Sequence, residues 1–150
     1  MKTTFSCALC VLLVAACWAQ TTPPKDMKTD KLLQQAMRLL KGLIENLKDN
    51  TFLHSPTNDI KECCSQSAFE CFKKELKSTS SLNSSRFLSL KGKLERNLAK
   101  PTIMNSMNTC SGEEIKKAAC MSCDSYPMVS SKEFLENLQS RLQKTYSRLS

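Results

Sequence analysis

From Met27 to Asp49 the apolar residues Met27, Leu32, Leu33, Ala36, Met37, Leu40, Leu43, Ile44 and Leu47 recur at steps of three and four. That spacing gathers them on one face of a helix of about six turns, in which Gly42 costs about 1 kcal/mol. NTFLHSPTN at 50–58 reads as a linker. A second helix is expected over 59–77, where Ile60, Cys64, Ala68, Cys71 and Glu75 form one row beside Phe69, Phe72 and Leu76. STSSLNSS at 78–85 is a polar break. Phe87, Leu90, Leu94 and Leu98 define a third helix over 86–100, stopped by Pro101. Residues 101–129 read as a long connection in which GEEIKKAA forms a short helical turn. The last helix starts at a capping box, Ser130 with Glu133, and carries Phe134, Leu135, Leu138, Leu142, Tyr146 and Leu149. Glu133 and Glu136 near its start, and Arg141, Lys144 and Arg148 near its end, suit the helix dipole. No strand pattern and no internal repeat stands out. The expected fold is all-α, with four helices.

The opening MKTTFSCALCVLLVAACWA changes the picture. Lys2, an apolar run to Trp18 and a small residue at Ala19 have the form of a secretory signal peptide cut before Gln20. The run is shorter than the roughly 20 residues a membrane-spanning helix needs. The reading is therefore a leader at 1–19 and one domain at 20–150, secreted and extracellular. Of nine cysteines, Cys7, Cys10 and Cys17 leave with the leader, so six remain; losing Lys2 lowers the formal charge from +8 to +7. An even cysteine count in a secreted chain implies disulfides. Glycine is scarce, at 3 residues, which disfavours a turn-rich β fold.

The six cysteines, Cys63, Cys64, Cys71, Cys110, Cys120 and Cys123, fall mainly in CCSQSAFEC (63–71) and CMSC (120–123). A redox CxxC would sit where a strand enters a helix, and none is expected here. Zinc is disfavoured because secretion favours oxidation and the only histidine, His54, stands apart. A phospholipase-type helix needs a histidine base between its cysteines, and this one has none. No catalytic residue, metal or other cofactor is expected. A staple fits better. Cys64 and Cys71, two helical turns apart, lie on one face about 10.5 Å apart. In an extended loop Cys120 and Cys123 are roughly 10 Å apart. The loop can therefore be stitched twice along the helix, as Cys64–Cys120 with Cys71–Cys123, or crossed if it runs the other way. Cys63 points about 100° away from Cys64 and cannot share that stitch; it and Cys110 are left over, and pair if the long connection allows.

CSQSAFECFKKELK at 64–77 and CMSCDSYPMVSSKEFLENLQSRLQKTYSRLS at 120–150 resemble the two signature blocks of the interleukin-21 family. These are short-chain four-helix cytokines related to interleukins two and fifteen. LKGLIEN in the first helix and the following FL are similar too, and CDSY followed by KEFLE favours this branch over its fifteen-numbered relative. The resemblance implies an up-up-down-down bundle with long crossovers. It also implies a partner pair, a private class I receptor chain and the common gamma chain, whose bridging activates Janus kinases and signal transducers in lymphocytes. It implies the uncrossed pairing of Cys64–Cys120 and Cys71–Cys123. Cys63 and Cys110 have no counterpart in the mammalian pattern, and the first helix has Lys28 and Lys31 where its mammalian relatives have an arginine-rich opening.

Receptor contacts are expected on two surfaces. Lys28, Lys31, Gln34, Gln35 and Arg38 of the first helix, with Lys91, Lys93 and Arg96 of the third, would form a basic face toward an acidic private receptor. On the last helix the resemblance assigns Gln143 to the common gamma chain; Tyr146, beside it, stands where the family has an aliphatic residue. A half-exposed Tyr with a polar tip suits an interface, and equally suits a lid on the core. The competing reading is a saposin-like or antimicrobial helical protein drawn to anionic lipid by its charge, but those folds tie their terminal helices by cysteines and the first helix here has none. Nucleic acid is not expected as a partner, because secretion removes it and basic residues are not interleaved with aromatics. A monomer without membrane insertion is expected. Asn83-Ser84-Ser85 is a glycosylation sequon.

Overall fold

The first apolar stripe folds as helix α1, Met27–Glu45, in the computed structural model, which describes residues 27–48, 51–79 and 84–149. The leader expected at 1–19 and the sequon residue Asn83 lie outside the described residues. Helix α1 ends earlier than its periodicity suggests. At that end the Gly42 carbonyl accepts from both the Asn46 N–H at 3.1 Å and the Asn46 side chain at 2.7 Å. The presence of Gly42 has a packing reason: a Cβ there would stand 3.2 Å from Leu90 Cδ1.

The expectation of no strands is corrected. Strand β1, Phe52–His54, lies within the stretch read as a linker and pairs antiparallel with β2, Met128–Ser130. The register is Phe52 with Ser130, Leu53 with Val129 and His54 with Met128. Leu53 points into the core, whereas Phe52 and Met128 are exposed. The second helix also starts later than expected. The Thr57 hydroxyl donates to the Asp59 carboxylate and Lys61 is extended, so helical structure opens with a 3-10 turn at Glu62–Cys64. Helix α2, Ser65–Lys77, follows directly.

Helix α3, Ser85–Leu98, is capped by Ser84, whose hydroxyl accepts from the Phe87 N–H at 3.3 Å. Pro101 stops α3 as expected and then opens α4, Pro101–Ser106, where its missing N–H costs nothing. GEEIKKA forms α5, Gly112–Ala118, capped by Ser111 and closed by Ala119 in the left-handed region at φ 50°. Helix α6, Ser131–Leu149, begins where the Ser130 hydroxyl accepts from the Glu133 N–H at 3.2 Å. The described residues thus hold six α-helices and a two-stranded ribbon rather than four helices alone. The long connection of 101–129 contains two of those helices, a 3-10 turn at Cys123–Ser125 and β2.

The four longest helices share one core. Leu33, Leu40 and Leu43 of α1, Phe69, Phe72 and Leu76 of α2, Phe87, Leu94 and Leu98 of α3, and Phe134, Leu138 and Leu142 of α6 are buried in it together. Phe72 and Phe134 meet at 5.5 Å between ring centroids. Contacts across the seams run in opposite chain order. Gln34 meets Tyr146 while Met37 borders Gln139 and Gln143, so α1 and α6 are antiparallel. Gln35 meets Asn97 while Gly42 meets Leu90, and α1 and α3 are antiparallel. Ser65 meets Arg141 while Phe72 meets Phe134, giving α2 and α6 the same relation.

Three disulfides complete the frame: Cys63–Cys110, Cys64–Cys120 and Cys71–Cys123. The pairing between helix and loop is the uncrossed one, and Cys63, in the 3-10 turn, reaches Cys110 just before α5. The three closed loops are of similar length, at 47, 56 and 52 residues, so each alone would stabilise by about 4 kcal/mol in the chain-entropy model, and less once another is in place. Burial separates them. Cys71 lies in the core, whereas Cys63 and Cys110 are half-exposed. Replacing both Cys71 and Cys123 by Ser should therefore lower stability by about 2–4 kcal/mol in denaturant titration, and more than replacing both Cys63 and Cys110. An equal or reversed ranking would show that burial of the bridge contributes nothing.

Candidate docking surfaces

Helix periodicity sends Lys28, Lys31, Gln35 and Arg38 outward from α1, and Lys93 and Arg96 outward from α3; all six are exposed. The Gln35 side chain sits at the seam, accepting from Asn97 Nδ2 at 3.3 Å, so the two rows flank one seam. Two expected members do not join them. Lys91 is folded back onto α2: its Nζ donates to the carbonyls of Thr79 at 3.1 Å and Lys77 at 3.3 Å and pairs with Glu95 at 3.6 Å. A lysine held by two carbonyls and a carboxylate is not offered to a partner. Gln34 turns to the other side of α1, where its amide donates to the Tyr146 hydroxyl at 2.8 Å.

That bond joins residues expected on two separate surfaces. Tyr146 is half-buried and packs against the core, so the ring serves as a lid while its hydroxyl accepts from Gln34. Gln143 is exposed, one turn earlier on α6. It borders an open depression between α1 and α6 with Met37, Gln139, Ser140 and Lys144. Met37 belongs to the apolar stripe of α1, and its pattern gave no signal that it lies at the edge of the core rather than inside it.

A charge cluster ties the cysteine-rich turn to the end of α6. Glu62 pairs with Lys144 at 2.8 Å and with Arg148 at 3.2 Å, and Arg148 Nη2 also donates to the Ser106 carbonyl at 2.7 Å. The hydrogen bond from Lys144, with the fields of Lys144, Arg148 and Arg141, holds the Glu62 carboxyl below its ordinary value of 4.5. Arg141 lies beneath, 3% exposed, with Nη1 at 3.5 Å from the Ser65 hydroxyl. Burial lowers its pKa and the Glu62 charge opposes that shift. The arginine was expected only as a dipole partner at the helix end; its charge instead sits inside the molecule. The Cys63 and Cys110 sulfurs and the Glu114 carboxylate lie within 4.8 Å of one another, but the two sulfurs are joined to each other, which removes the thiolates a metal would need.

The sign of the Glu62 effect follows from its lowered pKa. The stabilisation is complete above pH 4.5 and is lost as pH falls through the folded-state value. Because the pair is solvated, its size is about 0.5–1 kcal/mol. Glu62→Gln should show that deficit at pH 7 and converge on the parent protein once the pH falls below the folded-state value, where both side chains are neutral. A deficit that is unchanged by acid would assign the loss to packing rather than charge.

No protein-family model matches the chain, and these surfaces stand on their own geometry.

Proposed function

We propose that the protein is a secreted signalling protein of the short-chain four-helix cytokine type, nearest to the interleukin-21 group, and not an enzyme. In this reading it acts as a monomer, bridges a private class I receptor chain and the common gamma chain, and so activates Janus kinase signalling in lymphocytes. The observation that carries the reading is the double stitch of Cys64–Cys120 and Cys71–Cys123, because it joins the two blocks on which the resemblance rests in the pairing that family uses. The helix order supports it as well. Helices α1 and α2 run opposite to α3 and α6, as an up-up-down-down bundle requires. Three disulfides fit an oxidising, extracellular compartment.

Within that reading the private chain docks on Lys28, Lys31, Gln35, Arg38, Lys93 and Arg96. The common gamma chain docks on the depression beside Gln143. Gln34 and Tyr146 hold the two helices in register between these surfaces.

Kinetic measurements on refolded residues 20–150 test both placements. Lys93→Glu with Arg96→Glu should slow association with the private chain about tenfold at low salt and change the off-rate little, since rim charges act mainly on encounter. Gln143→Asp should keep helical content and private-chain binding, lose recruitment of the common gamma chain, and turn the protein into a competitive antagonist. Tyr146 is left in place because it covers the core. Full signalling by the Gln143 variant would remove the second site from α6.

A further inference from the structure

The exposed cations flanking the α1–α3 seam form a two-railed track. Gln35 is level with Asn97, and seven residues on Gly42 is level with Leu90. Because the helices are antiparallel, Gln35 then stands close to level with Arg96 and Arg38 with Lys93, while Lys31 lies toward the end of α3 that leads to Lys100. Lys31 and Arg38 lie about 40° and 60° round α1 from Gln35, and Lys93 lies about 40° round α3 from Asn97 in the same sense. On antiparallel helices that common rotation puts both rails on the same open side, away from buried Ala36 and Leu98. The rail on α1 spans about 10 Å, from Lys31 to Arg38; the other holds Lys93 and Arg96 on α3 and is continued past the end of that helix by exposed Lys100.

Among the described residues no carboxylate forms an ion pair with these charges. Among the described residues the ion pairs engage Lys73, Lys74, Lys91, Lys144 and Arg148, and none engages Lys31, Arg38, Lys93, Arg96 or Lys100. Glu95, the acid within α3, is taken by Lys91. Glu45 comes level with Arg86 and bounds the track at that end. Five like charges along one seam repel each other in the free protein and concentrate a positive potential there.

We propose that this track binds a linear sulfated polysaccharide of the cell surface or extracellular matrix, which would hold the secreted protein near its source and cover the face assigned to the private receptor. The proposal rests on the extracellular location in the reading above and not on the receptor pair. Charge complementarity favours a polyanion, and the composition of the track selects its kind. Its uncharged member is Gln35, and no large exposed apolar side chain lies in it. Phe52 and Met128 are on the ribbon, and Leu88 is about 140° round α3 from Lys93. An anionic membrane would use apolar side chains among the cations, and single-stranded nucleic acid would stack on aromatic ones. A sulfated chain needs neither.

The test is equilibrium binding of refolded residues 20–150 to a heparin-derived octasaccharide across a salt series. Five released counterions give a slope of about −4 in log affinity against log salt, by analogy with nucleic-acid polyanions. Lys93→Gln with Arg96→Gln should weaken binding at least tenfold at physiological salt and reduce the slope by about 1.5. Lys116→Gln with Lys117→Gln removes the same charge from exposed positions on α5 and should change binding less than twofold. All four side chains are exposed, so helical content by circular dichroism should be unchanged. Equal losses from the two pairs, no binding at physiological salt, or equally tight binding to phosphatidylserine-rich vesicles through Lys93 and Arg96 would each overturn the proposal. Octasaccharide binding that passes these tests, alongside undiminished capture by the private receptor, upholds the track and moves the receptor off that face. Receptor capture with no octasaccharide binding does the reverse.

Discussion

The rest of the structure depends on where residues 120–130 are held against α2. Two bridges fix that segment at points seven residues apart on the helix side, Cys64 to Cys120 and Cys71 to Cys123. With its direction set, the following residues have little freedom. The Tyr126 carbonyl meets His54 Nδ1 at 2.8 Å, and the Pro127 carbonyl accepts from the Ser55 N–H at 3.0 Å. Strand β2 then falls into register with β1, and Ser130 is placed to cap α6. Helix α6 leaves the ribbon in the direction that brings Phe134 onto Phe72. A covalent constraint at the surface thus becomes a helix orientation in the core.

Polar groups reinforce the same frame at both ends. Glu75, buried in α2, accepts from the His54 N–H at 3.0 Å and so satisfies an outward-facing donor of β1. At the other end Glu62, beside the bridged cysteines, gathers Lys144 and Arg148 of α6. Neither ion pair is deeply buried, so each adds little stability; their effect is to pin the far end of α6 to the turn that starts α2. The outer faces of α1 and α3 lie away from this frame, and exposed Lys31, Arg38, Lys93 and Arg96 stand there.

Much of this was legible in the sequence, for physical reasons that vary by element. The four long helices follow from a period that each sustains over at least three turns. The bridges were legible as a matched pair of spacings, but spacing alone leaves uncrossed and crossed stitching equal; the resemblance supplied the direction. The ribbon was not legible. Phe52–His54 and Met128–Ser130 are three residues each and carry no alternation long enough to see, and their pairing spans most of the chain. Helix α4 was missed because Pro101 was read only as a stop.

Side-chain commitments were less legible than faces. The pattern placed Lys91 and Gln34 on the outer halves of their helices, yet Lys91 reaches two carbonyls of the preceding turn and Gln34 reaches a tyrosine 112 residues away. Long side chains choose partners from tertiary structure that local periodicity does not contain. Even so, the basic seam and exposed Gln143 remain as two separate surfaces, and the proposed bridging of two receptor chains would need two. Light scattering during size-exclusion chromatography tests that claim most directly, using the refolded protein mixed with the ectodomains of a class I receptor chain and of the common gamma chain. The account predicts a complex with one copy of each of the three chains, assembling through the class I chain first. A protein that elutes alone from every such mixture would contradict it.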